Sequence, residues 1–152
     1  LFQTDLSKAT VITMFLLPEI NVSLRPKLLK LTPGTRIVSN SFRMGNWKPD
    51  ATTTVRHGCS DYCTAHLWIV PANVAGTWKT PQGTLTLKQQ FQYLSGKLQG
   101  SEAVVVANGK LNGDHISFVA GSTRYEGRVS GKTIEGTAIS QGNTTRWMAT
   151  KS

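Results

Sequence analysis

The chain has 152 residues, a formal net charge of +9 and 39% hydrophobic residues, which allows one domain or two small ones. It has no apolar run of about 18 residues, so no membrane span is expected. The basic residues are dispersed and the known nucleic-acid-binding motifs are missing, so a nucleic-acid partner is not expected. Residue 1 is not methionine, and the chain begins in the middle of a sequence pattern. We therefore expect a truncated or processed chain. Its compartment, cytoplasmic or periplasmic, stays open.

The first predicted element is a strand over residues 9–17, a nearly continuous apolar run rich in β-branched residues. Such a run is typical of a strand buried on both faces of a parallel sheet. Pro18 should end the strand, because proline donates no hydrogen bond to a sheet.

A helix is predicted next, from Ser23 as N-cap to Leu31, with Gly34 taking a left-handed conformation after it. Residues 35–42 predict a second strand, which makes a βαβ unit with parallel strands. Two further short strands are predicted at residues 52–55 and 65–70.

Five stretches of the first half carry a family resemblance by their order and spacing: residues 5–12, 15–19, 24–29, 33–39 and 44–47. They resemble the second half of bacterial class I S-adenosylmethionine-dependent methyltransferases, in the family that includes the mitochondrial ATP synthase c-subunit lysine methyltransferase. The resemblance runs to Pro71 and implies a partial Rossmann-like α/β region over residues 1–72. Residues 9–17 would be its fourth strand, and the first three strands are absent.

The resemblance also suggests where a methyltransferase site would lie. The family holds S-adenosylmethionine on a glycine-rich loop that this chain lacks, so we expect no cofactor binding and no methyl transfer by the chain alone. Leu1 and Phe2 would lie near the adenine, and Pro18 on the rim of the cofactor site. Glu19 would position the methyl acceptor, although a helix-start carboxylate that complements the helix dipole is the preferred interpretation.

A sheet that begins at its fourth strand would expose one edge of residues 9–17. An apolar edge strand is an association site. We therefore expect a homodimer in which this strand pairs with its copy around a twofold axis.

Cys59 and Cys63 lie between His57 and His66, within ten residues that hold four potential zinc ligands. Three interpretations stay open: two free thiols, which we prefer, a disulfide that closes the turn, and a zinc site. A disulfide would indicate an oxidising compartment.

Residues 73–152 change to an alternating pattern and predict about eight short strands in an up-and-down antiparallel barrel or meander. The predicted turns include Asn108-Gly109 and Ser130-Gly131. The motif Gly76-Thr77-Trp78 and the late Trp147 resemble those of calycin barrels. This resemblance suggests a tryptophan that plugs one end of the barrel.

A barrel of this kind could hold a small apolar ligand. The candidate pocket residues are all aromatic: Trp78, Tyr93, Phe118, Tyr125 and Trp147. A core filled by the same side chains is the preferred interpretation, because eight short strands leave little interior space.

Together these observations predict an α+β protein. Its predicted function is that of a methyltransferase-related fragment that is inactive alone. The alternative is a non-catalytic module whose barrel binds a small ligand or a protein partner.

Overall fold

The computed structural model describes residues 1–152, which form two compact units, Leu1–Val70 and Pro71–Ser152. The first unit is a small mixed sheet with the only helix of the chain. The second is a closed antiparallel barrel of eight strands. The chain is therefore mostly β with one helix. One βαβ unit is present, and the partial Rossmann-like sheet stays a prediction. No helix is both long and apolar enough to span a bilayer.

The elements of the first unit are β1 (Val11–Met14), α1 (Pro18–Leu28), β2 (Arg36–Asn40), β3 (Ala51–Thr54) and β4 (Thr64–Ile69). Those of the second are β5 (Gly76–Thr80), β6 (Gly83–Gln90), β7 (Tyr93–Gln99), β8 (Ala103–Asn112), β9 (His115–Ala120), β10 (Thr123–Ser130), β11 (Thr133–Ser140) and β12 (Asn143–Lys151).

The sheet of the first unit has the order β1-β2-β4-β3, in which only the β1–β2 pair is parallel. Its core includes Leu28 of α1, Ile37 of β2 and Trp68 of β4, all almost fully buried. The indole nitrogen of Trp68 donates to the carbonyl oxygen of Trp47 at 2.7 Å. This buried bond fixes the loop after β2 against the sheet.

The first strand differs from its prediction. Only Val11–Met14 form a strand, and only Met14 of these is buried. β1 pairs with β2 alone, so it is an edge strand. The predicted burial on both faces is wrong, because most residues of the apolar run over residues 9–17 are exposed.

The helix also begins earlier than the prediction. Pro18 opens α1, where its missing N–H costs no hydrogen bond because the first turn has no partner for it. Ser23 lies inside the helix, and its hydroxyl donates to the carbonyl oxygen of Glu19 at 2.8 Å instead of capping. The helix ends at Leu28, and Gly34 adopts the predicted left-handed conformation with φ of +94°.

Every strand of the barrel pairs with its neighbours along the chain, and the barrel is closed where β12 meets β5. This closure is short: only Thr150 and Lys151 pair, with Lys79 and Trp78. The predicted turn at Asn108-Gly109 is wrong. These residues lie within β8 at a register shift, where Asn108 has φ of +53°. A bulge accommodates such an extra residue without ending the strand.

The barrel interior is filled by large apolar side chains, of which Trp78, Leu85, Leu111, Ile116 and Ile134 are fully buried. Glycine allows close approach of two strands where Gly127 faces Gly136, because a Cβ on Gly136 would lie 1.9 Å from a carbonyl oxygen of β10. The closed up-and-down barrel confirms the predicted topology. Its relation to calycins stays a prediction.

The free edge of β1 leads to a testable expectation. The Thr10 carbonyl bonds to Arg36 of β2, so by alternation the N–H of Thr13 faces the open edge. We expect light scattering to show a dimer, and Thr13→Pro, which removes that donor, to convert it to a monomer. Thr13→Val keeps the donor and should remain dimeric. A wild-type monomer, or equal behaviour of the two variants, would exclude pairing through this edge.

Candidate functional site

The candidate site lies where the parallel strands β1 and β2 end. Met14 is aligned with Ser39, so the segments that leave both strands emerge at one edge of the sheet. Ligands of open α/β sheets bind outside this carboxyl edge. The segment after β1 leads into α1 at Pro18, and the segment after β2 carries Phe42 and Arg43.

A pocket of about 520 Å³ is formed by these segments, and it is lined by Pro18, Glu19, Val22, Arg43 and Gly45. Its wall is mostly apolar but contains one carboxylate and one guanidinium. Both charged residues are exposed, and no ion pair joins them. The pocket can therefore offer one negative and one positive group to a ligand.

Glu19 combines the two roles considered for it. It lies in the first turn of α1, where a carboxylate complements the positive end of the helix dipole. The same residue lines the pocket together with Pro18. A structural role therefore does not prevent its carboxylate from meeting a ligand.

Two side chains of α1 hold the loop that completes the pocket. The buried amide of Asn21 donates to two successive carbonyl oxygens, the second being that of Arg43 at 3.3 Å. Arg25 donates from one nitrogen to the Met44 carbonyl at 3.1 Å and to the Asn46 side-chain oxygen at 2.7 Å. The loop is thus fixed to the helix on both sides of Gly45.

Three aromatic rings lie beyond the ends of β1 and β2 and form what we call the aromatic cluster: Phe15, Phe42 and Tyr62. The ring of Phe15 lies 5.0 Å from that of Tyr62, edge to face, and 5.9 Å from that of Phe42. Phe15 and Tyr62 are 57% and 59% exposed. Two of these rings therefore present apolar surface to the solvent while packing on each other.

Tyr62 belongs to a loop that a disulfide closes. Cys59 and Cys63 are joined with an S–S distance of 2.01 Å, and the chain has no free cysteine. The preferred interpretation of free thiols is thus corrected to the disulfide alternative. Tyr62 has φ of +55°, which turns the chain within a short loop and lets the two cysteines meet. No group of three or more potential metal ligands is present.

His66 is separate from the cysteines and is buried in β4. Its Nδ1 lies 2.9 Å from the hydroxyl oxygen of Thr52. Burial lowers the pKa of His66, and the positive charge of Arg43 acts in the same direction. The histidine is therefore a core residue that favours its neutral form.

The other candidate residues from the resemblance lie apart from the pocket. Leu1 and Phe2 are exposed and do not line it. Their segment is held by Lys27 of α1, whose ammonium donates to the Phe2 carbonyl at 2.9 Å and to that of Thr4.

Four of the five barrel aromatics are buried together in the barrel core: Trp78, Phe118, Tyr125 and Trp147. The rings of Phe118 and Tyr125 stack at 4.9 Å, and Trp147 meets both edge-on. Burial raises the pKa of the Tyr125 hydroxyl. Tyr93 is not part of this core and is 43% exposed.

The sequence reasoning missed Val22, Arg43 and Gly45 as pocket residues. One signal was available: Arg43 directly follows the predicted strand 35–42, and residues at that position of parallel strands face ligands. The aromatic cluster had no such signal, because Tyr62 joins it from a distant hairpin.

Residues 1–51 match the sequence model of the family described as "ANTKMT methyltransferase domain". All five pocket residues fall within the matched range. The N-terminal part of the chain is therefore methyltransferase-related.

A "Protein-lysine N-methyltransferase" of Saccharolobus islandicus (strain REY15A) is 44% identical over 70 residues, which are 45% of this chain and 43% of the relative. A crystal structure of an RNA methyltransferase from Salinibacter ruber, in complex with S-adenosyl-L-homocysteine, is 42% identical with a TM-score of 0.43. That match covers 48% of this chain and 45% of the other. The chain spans less than half the length of either protein.

The described residues do not fit S-adenosylmethionine by themselves. The only helix begins after Phe15-Leu16-Leu17 with a proline, and no glycine allows a ligand to approach its N-terminus closely. The pocket itself offers the carboxylate of Glu19 and the guanidinium of Arg43 to a ligand.

Gly45 provides a test of how tightly the pocket loop is packed. Its φ is +61°, and a Cβ there would lie 3.0 Å from Arg25 Nη1 and 3.2 Å from Val22 Cγ2. We expect Gly45→Ala to lower the free energy of unfolding by about 2 kcal/mol, measured by urea denaturation. Gly58 has φ of +72° with open space around it, so Gly58→Ala should lower the free energy of unfolding by only about 1 kcal/mol. Equal losses would contradict close packing of this loop.

His66 predicts a pH dependence of stability. Because its pKa is lower in the folded than in the unfolded chain, the unfolded chain binds the proton more readily. Stability is therefore full above the unfolded pKa of about 6.5 and decreases as the pH falls below it. Urea denaturation between pH 7.5 and 5.5 should show this loss, and His66→Gln should reduce it. The same pH dependence in both proteins would contradict this assignment.

Proposed function

We propose that the first unit is the acceptor-side half of an S-adenosylmethionine-dependent protein methyltransferase, and that its acceptor is a lysine side chain. The observation that carries this proposal is that the carboxyl-edge pocket lies wholly within the 51 residues matched by the methyltransferase family. The name of the relative from Saccharolobus islandicus supports lysine as the acceptor.

The chemistry of the pocket agrees with this role. A lysine acceptor has an apolar stem and a cationic end. Pro18 and Val22 would supply apolar wall for the stem, and Glu19 a carboxylate for the ammonium. The guanidinium of Arg43 also lines the pocket, and its positive charge would favour the neutral amine, which is the form that attacks a methyl group. Methyl transfer to an amine depends chiefly on holding the nucleophile in line with the methyl donor. The residues described here would hold and orient the amine.

Methyl transfer by this chain alone is not part of the proposal, since its residues do not fit the cofactor. S-adenosylmethionine would supply the methyl group in the complete family site, and the solved relative holds S-adenosyl-L-homocysteine. The alternative, a small apolar ligand inside the barrel, is less well supported, because the interior is filled by the core side chains.

A binding experiment tests the acceptor role. A short lysine-containing peptide should shift the amide NMR signals of residues 19–22 and 43–45. Glu19→Gln should weaken its affinity about tenfold, because an ammonium loses its charged partner. Glu102→Gln removes the same charge from a turn of the barrel and should leave the affinity unchanged.

Two outcomes would overturn the proposal. The first is equal affinity of the Glu19 and Glu102 variants for the peptide. The second is incorporation of labelled methyl groups from S-adenosylmethionine into the peptide by the chain alone, which would mean that a cofactor site exists within these residues.

A further inference from the structure

One half of the barrel surface carries positive charge without acidic partners. Each of the strands β5 to β8 contributes one exposed lysine: Lys79, Lys88, Lys97 and Lys110. None of them takes part in an ion pair. We call the outer surface of these four strands the basic half of the barrel.

Acidic residues are nearly absent from this part of the chain. Between Gly76 and Ala120 they are limited to Glu102 and Asp114, and both lie outside the strands. Asp114 is directed to Arg128 of β10, at 3.8 Å. The lysines of the basic half therefore have no neutralising partner on their own strands.

The other half of the barrel is different. Its strands carry both signs of charge, and Arg124 pairs with Glu126 at 2.5 Å. Glu135 of β11 stands opposite Arg128 in the strand register. Strand β12 carries Arg146 and Lys151 without an acidic residue, but Glu126 and Glu135 offset part of the positive charge of this half, whereas no strand of the basic half carries an acidic residue.

The strand register distributes the lysines along the basic half. Lys97 stands opposite Thr86 and Val105, and Lys88 stands opposite Ser95, which precedes Lys97 by two residues in β7. Two residues of a strand span about 6.6 Å, so successive charges are offset along the surface by roughly that distance. Such an arrangement suits a linear polyanion better than a single small anion.

An exposed aromatic ring lies at one end of these lysines. Tyr93, which is 43% exposed, pairs with Lys110 across the β7–β8 ladder. A shallow pocket of about 260 Å³ includes Tyr93, Lys88, Gln90 and Ser95 in its lining. This combination offers a ring face for stacking, amide and hydroxyl groups for hydrogen bonds, and ammonium groups for phosphates.

The geometry points to the basic half of the barrel as a binding surface for single-stranded nucleic acid. Phosphates would contact the lysines, and a base would stack on Tyr93. Single-stranded nucleic acids are bound elsewhere by this combination of a positive surface and aromatic stacking platforms. The surface was invisible in the sequence because the four lysines are separated along the chain and meet only on adjacent strands.

A membrane surface fits these observations less well. Apart from Tyr93, the only large apolar side chain that is strongly exposed on these strands is Val105. Membrane-surface binding depends on a continuous apolar face beside the basic residues. The surroundings of Tyr93 are instead amide, hydroxyl and ammonium groups.

The test measures fluorescence anisotropy of a labelled 12-nucleotide poly(dT) or poly(U) with the full chain. Four phosphate contacts predict that the affinity falls roughly 50-fold between 50 and 200 mM salt. The triple variant Lys88→Gln, Lys97→Gln, Lys110→Gln should lose most of the binding and vary only about threefold over the same range. Tyr93→Ala should weaken binding about tenfold, and Tyr93→Phe should retain it.

The matched control removes three charges from the other half: Arg124→Gln, Arg128→Gln, Arg146→Gln. It should keep most of the affinity although its net charge equals that of the lysine variant. Equal losses in the two triple variants would mean that general charge, not the basic half, attracts the oligonucleotide. No binding to either oligonucleotide, or binding only to vesicles rich in phosphatidylserine, would also overturn the inference. The outcome is independent of the proposed lysine acceptor.

Discussion

The first unit depends on the attachment of its one helix to the loop that follows β2. Asn21 and Arg25 each bind backbone carbonyls of that loop, and the buried Trp68 binds it from the sheet side. Without these bonds the loop would not be fixed in the position that brings Arg43 into the same pocket as Glu19. The pocket is therefore a product of helix packing, although its own lining is exposed.

Features that local sequence signals determine could be predicted, and features that tertiary packing determines could not. The barrel strands were predictable because alternation of apolar and polar residues and tight turns are local signals. The start of α1 was not, because Pro18 can end a strand or open a helix, and only the packing of the helix decides. The bulge at Asn108 carried the residues of a hairpin turn and was recognisable only from the register of the neighbouring strands.

The candidate site was predictable only in part. Glu19 and Pro18 were placed on it by resemblance, and both line the pocket. Arg43 could have been recognised from its position directly after the predicted strand 35–42, whereas Tyr62 joins the aromatic cluster only through tertiary structure, which no spacing rule describes. The cysteine pair shows the same limit: three intervening residues fit thiols, a disulfide or a metal, and the turn at Tyr62 makes the disulfide geometrically accessible.

The two units differ in how they treat apolar surface. Eight of the eleven large apolar side chains that are strongly exposed belong to the first unit, including Phe15, Leu17 and Tyr62. The barrel exposes only Tyr93, Val105 and Met148 and leaves no free strand edge. Exposed apolar surface on this scale is typical of interaction surfaces, and part of it belongs to β1 (Val11) and to the pocket (Val22).

The short closure between β12 and β5 has a consequence for how the barrel forms. All other strand pairs join neighbours along the chain, whereas this one joins residues near position 79 to residues near position 150. Bringing distant residues together costs the most chain entropy, so such a contact forms after local hairpins have reduced the search. The barrel should therefore assemble as a growing meander whose last step is the docking of its C-terminal strand, with Lys151 settling over the ring of Trp78. Loss of the last few residues would then leave an almost complete sheet with two open edges.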